Sequence, residues 1–154
     1  MTASNQLYQE VILDHNRKPR NWGTVDGANH RAEGHNPLCG DHIVLTLSVG
    51  SGGTVDAVGF EGDGCAICKA SASMMTTAVK GRAVGEAEAM VQQFRDMATG
   101  KLDPERDANQ LGRLKVFAGV KDLPSRVKCA ILPWHTLHAA LNNDAVTSTE
   151  GDGA

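Results

Sequence analysis

Reactive sulfur in this chain comes from four cysteines, Cys39, Cys65, Cys68 and Cys129. Two of them lie in Glu61-Gly62-Asp63-Gly64-Cys65-Ala66-Ile67-Cys68-Lys69-Ala70-Ser71-Ala72-Ser73, where Gly-Asp-Gly is loop chemistry and the small residues that follow read as the opening turns of a helix. Cys65 is therefore expected where a loop becomes a helix. Unpaired N–H groups and the positive end of the helix dipole favour a thiolate there, and a thiolate is what binds a metal ion or attacks sulfur. Cys68, three residues on, shares a helical face with Cys65, so the pair could grip one ion or close a disulfide. A thioredoxin-type redox pair would need a βαβ pattern, which the sequence lacks.

Asn36-Pro37-Leu38-Cys39-Gly40-Asp41 reads as a tight loop in which Pro fixes one φ and Gly permits a bend, bringing Cys39 and Asp41 to one side. Together with Cys65 and Cys129 they would make an S3O donor set suited to zinc, and cysteine-rich sites also accept iron–sulfur clusters. Three thiolates and a carboxylate around Zn2+ leave a net charge of about −2, which Arg126 and Lys128, just before Cys129, are placed to offset. Plainer roles stay open. Cys129 could be a core thiol on an apolar helix, and Asp41 could cap a turn. His135 and His138, which share a helical face, are read as structural or solvated.

The elements that must position these residues follow from pattern. Leu7, Val11, Ile12 and Leu13 have helical spacing over residues 5–15, with Ser4 as N-cap. Arg17 to Arg20 with Asn21 and Trp22 form a basic turn whose Trp could dock a partner or lie half-buried. Residues 28–35 are expected as an edge strand. Ile43 to Val49 and Val55 to Phe60 form an antiparallel pair joined through Gly50-Ser51-Gly52-Gly53. Helices are expected over 65–79, with Met74 and Met75 as core filler, and over 84–98. A charged connector spans 101–110, and Leu111 to Val120 reads as a short helix. The last helix starts at Pro124 and carries Cys129; Pro133 is expected to kink or break it before Trp134 to Leu141. Residues 143–154, small and acidic, are expected to be a disordered tail after a single domain over 1–142.

Bulk properties narrow the class further. Fifteen basic against eighteen acidic residues argue against nucleic acid or an anionic membrane as the main partner. The N-terminus shows no apolar signal-like run, and no apolar stretch approaches the ~20 residues of a membrane span. A cytoplasmic protein is expected, and in that reducing compartment four cysteines suit metal ligation or a reactive thiol better than structural disulfides.

The motif set matches a known family. Leu7-Tyr8 with Val11-Ile12-Leu13-Asp14-His15, Pro19-Arg20-Asn21, Asn36-Pro37-x-Cys39-Gly40-Asp41, Gly64-Cys65-Ala66-Ile67 with Ala70-Ser71-Ala72-Ser73-Met74-Met75, and Arg126-x-Lys128-Cys129-Ala130 with Trp134-His135-Thr136-Leu137 closely resemble the SufU family. That family lies within the IscU-like (NifU N-terminal) superfamily of iron–sulfur cluster assembly proteins. The resemblance implies an α+β fold, a small antiparallel three-stranded sheet with helices packed on one side, of the SufE/NifU-like and IscU-like kind. Lys128, where cluster scaffolds of the IscU branch carry His, and extra length around residues 101–123 favour the SufU branch.

What the resemblance implies about function is specific. Zinc would be held by Cys39, Asp41, Cys65 and Cys129. Cys39, with Arg126 beside the transferring sulfur, would accept persulfide sulfur from a PLP-dependent cysteine desulfurase of the SufS type. A SUF scaffold complex of the SufBCD type would receive it downstream, so the chain would be a sulfurtransferase or carrier acting as the desulfurase's co-substrate. The alternative is an IscU-type scaffold on which a [2Fe–2S] cluster is assembled. Cys68 departs from the family, which usually has Ser there; it could displace Asp41 as a ligand or carry sulfur itself.

Overall fold

The computed structural model describes residues 3–143 and 146–149, the side chains of 3–9 and of Val146 excepted. The chain runs α1 (Ala3–Arg17), β1 (His30–Asn36), β2 (Asp41–Val49), β3 (Val55–Asp63), α2 (Ala66–Val79), α3 (Val84–Ala98), a 3-10 helix (Gly112–Asp122), α4 (Pro124–Leu141) and β4 (Val146–Ser148). It is an α+β fold. Ser4 lies inside α1 rather than capping it.

The sheet has four strands in the order β3-β2-β1-β4, with β1, β2 and β3 antiparallel in sequence and β4 parallel to β1. Two expectations are corrected here. Residues 146–148 pair with Glu33, Gly34 and His35, so this part of the expected disordered tail is a strand, and β1 is an interior strand rather than an edge. Backbone groups along β1 that would otherwise face water find partners in β4, which a composition-based reading cannot see. The expected tail residues 144–145 and 150–154 lie outside the described residues.

Alternation along β1 and β2 decides which side is covered. Ala32, Gly34 and Asn36 on β1, and Asp41, Ile43, Leu45 and Leu47 on β2, are buried, while Arg31, Glu33, His35 and His42 point to the other face. The buried face receives α4. Gly34 marks the closest approach: a Cβ added there would collide with Thr136 Oγ1 and press on Leu132, both on α4. That contact is what brings Cys129 down onto the loop between β1 and β2.

Around α4 the core closes with Phe94 stacked on Trp134 at 4.8 Å between ring centroids and Phe117 edge-on to Phe94 at 5.5 Å. Met74 and Met75 are buried core, as expected. Pro133 does not break α4, which continues from Pro124 to Leu141. Its missing N–H removes the donor that would otherwise reach the carbonyl of Cys129, a local cost the surrounding burial of Leu132, Trp134 and Leu137 outweighs.

The motif residues near the N-terminus are architectural. His15 Nδ1 bonds Ser73 Oγ at 2.7 Å, the Arg20 N–H donates to the same Oγ at 2.8 Å, and Asn21 Nδ2 donates to Thr76 Oγ1 at 3.0 Å. They fasten α1 and its following turn to α2, the helix that begins at the cysteines. His135 and His138 serve the fold too: His135 is buried against Arg95 and His138 pairs with Glu88.

Candidate metal centre

Cys39 sits in the loop 37–40 that joins β1 to β2. The strands pair up to Asn36↔Asp41, and the N–H groups of Cys39 and Gly40 both donate to the Asn36 carbonyl, so the loop is tight and the thiol is exposed. Asp41, the first residue of β2, is only 3 % exposed. A carboxylate buried to that degree needs partners, and it has them. Its Oδ1 accepts the Cys65 backbone N–H at 3.0 Å and its Oδ2 accepts from Asn36 Nδ2 at 3.4 Å.

Cys65 is the N-cap of α2, in extended backbone at φ −71°, and its sulfur accepts the N–H of Cys68 at 3.4 Å. A cysteine thus stands where Ser or Asp would ordinarily cap. Cys129, in the second turn of α4, is buried, and its Sγ lies 3.6 Å from Cys39 Sγ. Asn36 Nδ2 reaches the same Cys129 sulfur at 3.6 Å.

Donor atoms of Cys39, Asp41 and Cys129 all lie within 4.8 Å of one another. Cys65 is not one of these three donors but stands beside them, its backbone N–H donating to Asp41 Oδ1. The first thiol proton of the Cys65–Cys129 pair belongs to Cys129, whose S–H donates to Cys65 and holds the Cys65 pKa down to about 6, helped by the backbone N–H groups of Cys68 and Ile67. Cys129 is raised in consequence, because its proton is held by Cys65 and by Asp41 and because the thiol is buried.

Arg126, exposed in the first turn of α4, is held more firmly protonated by the neighbouring Cys129, Cys65 and Cys39. Cys68 behaves differently from its neighbours. It is fully buried with Ile43, Cys129 and Leu132, and burial pushes its thiol pKa well above the ordinary value. Gly64 keeps the space open: a Cβ there would sit 3.2 Å from Cys68 Sγ and 3.3 Å from Asp41 Oδ1.

Every residue expected at the site is at this one end of the sheet. Sequence reasoning missed Asn36 as a participant, although it stands three residues before Cys39; a buried amide bonded to both Asp41 and Cys129 orients them, and its Oδ1 accepts from Thr149 Oγ1 at 3.2 Å. The donor chemistry of Cys39, Asp41 and Cys129 fits a thiophilic ion: two soft sulfurs and one hard oxygen within 4.8 Å of one another, with Cys65 next to them.

Fold and site together define a small α+β protein that presents a buried carboxylate and a cluster of thiols, one of them exposed, at the end of its sheet. The chain belongs to the NifU-like N terminal domain family, which it matches over residues 7–130. It is 43% identical over 131 residues to the zinc-dependent sulfurtransferase SufU of Bacillus subtilis, covering 85% of this chain and 86% of that one. An iron–sulfur cluster assembly scaffold protein IscU of Streptococcus pyogenes is 38% identical over 145 residues, 94% of this chain and 89% of its own. The fold is shared with the crystal structure of the protein FiSufU from Fervidobacterium islandicum, at a TM-score of 0.81 and 37% identity, over 90% of this chain and 99% of that one. Among the described residues no helix is long and apolar enough to cross a membrane.

Proposed function

We propose that the chain is a zinc-dependent sulfur acceptor in iron–sulfur cluster assembly, taking persulfide sulfur from a PLP-dependent cysteine desulfurase on Cys39 and passing it to a SUF scaffold. The observation that carries this is the contrast among the thiols. Cys39 is exposed on a loop, whereas Cys129 is buried on a helix and Cys65 caps one. Only the first can reach a partner's cysteine without unfolding an element.

Cys39, Asp41, Cys65 and Cys129 would hold the zinc. The ion would keep the thiols deprotonated and shielded from oxidation. The Cys39 thiolate attacks the outer sulfur of the desulfurase persulfide; a new S–S bond forms on Cys39, the enzyme's S–S bond breaks, and its cysteine leaves as thiolate, with no net oxidation or reduction. Arg126, in the turn of α4 just before Cys129, supplies positive charge where the sulfur anion develops. Leu38, 71 % exposed beside Cys39, and Leu123, 48 % exposed just before α4, offer apolar contact for the enzyme surface.

Alanine release by the desulfurase tests the proposal, measured anaerobically with limiting external thiol. Zinc-loaded protein should give multiple turnovers, and Cys39→Ser should abolish the stimulation. Absence of stimulation by the wild-type chain would favour the cluster scaffold, for which the related IscU proteins are the precedent.

A further inference from the structure

A second cluster of metal-ligating side chains lies on the opposite face of the same hairpin. Glu33 and His35 are two apart on β1 and so share a face, and His42 on β2 stands directly across from His35. This face is turned away from Asn36 and Asp41 by the alternation of the strands.

The geometry is more organised than a surface ion pair. Glu33 Oε2 lies 3.3 Å from His42 Nε2 and 4.0 Å from His35 Nε2. The two imidazoles stack at 4.6 Å with their planes 21° apart, so both Nε2 atoms address the same carboxylate oxygen. Glu33 Oε1 is taken by Arg31 Nη2 at 2.9 Å, which fixes the carboxylate and leaves Oε2 for the rings. One donor atom from each residue falls within 4.8 Å of the other two, and all three residues are half-buried. Tetrahedral zinc with bonds of about 2.0–2.1 Å has donors roughly 3.3 Å apart, the spacing Glu33 and His42 already have at 3.3 Å and one that Glu33 and His35, at 4.0 Å, approach.

We propose that Glu33, His35 and His42 form a second metal site, of two imidazoles and one carboxylate, for a zinc-like divalent transition ion. Imidazole and carboxylate donors with open coordination positions suit Zn2+ and its neighbours, and select against the hard cations that prefer oxygen alone. The site contains no sulfur and is separate from the thiol cluster. An ion there would clamp β1 to β2 at the base of the loop that carries Cys39.

Equilibrium dialysis of the full chain against buffered Zn2+ tests it, with metal counted per chain. Two ions are expected in the wild type, one in the double variant His35→Gln/His42→Gln, and one, the second-site ion, in Cys39→Ser/Cys65→Ser. Cobalt distinguishes the sites independently: the histidine variant should keep the thiolate-to-cobalt charge-transfer band, and the cysteine variant should lose that band while keeping a d–d spectrum. Glu33→Gln, which changes one oxygen to nitrogen, is the gentler variant should the double change impair folding; it should weaken the second ion about tenfold or more. A single ion in the wild type that the double histidine variant retains and the cysteine variant loses would overturn the proposal. So would a second ion that persists at full affinity in Glu33→Gln or in the double histidine variant.

Discussion

Asp41 Oδ1 accepts the backbone N–H of Cys65 at 3.0 Å, so the carboxylate that opens β2 also fixes the start of α2. The bond spans 24 residues and ties the two cysteine-bearing segments together before any ion is present. Asp41→Asn keeps an oxygen for that N–H but sets an amide NH2 against Asn36 Nδ2, so it should hold zinc more weakly and lose some stability. Asp41→Ala leaves the N–H without its acceptor and should cost about 1–3 kcal/mol in addition, read from urea midpoints of the metal-free proteins.

The shared proton of Cys65 and Cys129 gives the metal-free protein a distinctive pH profile. Thiolate absorbance should show Cys65 ionising near pH 6, with Cys68 and Cys129 above the ordinary thiol range. An unfolded chain keeps the Cys65 proton up to its usual pKa near 9, so between pH 6 and 9 it binds more protons than the folded one, and stability rises with pH across that window. His135 acts in the same direction lower down. Burial and Arg95 hold its pKa near 4 against 6.5, so it adds stability as pH rises from 4 to 6.5 and loses it again on acidification. Urea midpoints that fall on going from pH 5 to 8 would contradict both assignments.

Cys68 should be dispensable for chemistry. Its thiol is buried among Ile43, Leu132 and Cys129 and is harder to ionise than an ordinary thiol, a poor nucleophile in a closed site. Cys68→Ala should retain zinc and desulfurase stimulation and lose about 1 kcal/mol of stability from the missing sulfur contacts. Cys68→Ser should cost more, since its hydroxyl would be buried at a site built for sulfur.

Gly34→Ala tests how the third cysteine reaches the site. The added methyl meets Thr136 and Leu132, so α4 must lift from β1, and Cys129 rides on α4. A destabilisation of about 1–3 kcal/mol is expected together with weaker zinc binding, whereas the same substitution at Gly85, where an added Cβ meets nothing within 4 Å, should leave zinc binding unchanged.

Local chemistry made much of this readable from the sequence. The Pro/Gly loop around Cys39 and the loop-to-helix step at Cys65 are written in neighbouring residues, and both elements form as expected. What brings Cys129 to them is the packing of α4 on β1 through Gly34, a contact about a hundred residues apart in sequence, and only the family resemblance pointed to it. β4 was illegible for a related reason. Val146 and Thr147 suit a strand, but three residues are too few to be read as one, and they become a strand by pairing with the edge of β1. Asn36 and Thr149 were hidden by the same non-locality, since their bond joins the start of the site loop to the segment after β4. Pro133 looked like a break because a proline is costly in an isolated helix, and burial on both sides of it decides otherwise.

The central claim is that Cys39 is the sulfur carrier, and the direct measurement is to trap persulfide on the protein. After anaerobic incubation with the desulfurase, cysteine and zinc-loaded protein, alkylation and peptide mass analysis should find the extra sulfur on the peptide containing Cys39 and on no other. Cys39→Ser should carry none, while Cys68→Ala should match the wild type. Persulfide on Cys65 or Cys129 with Cys39 unmodified, or undiminished persulfide on Cys39→Ser, would contradict the account.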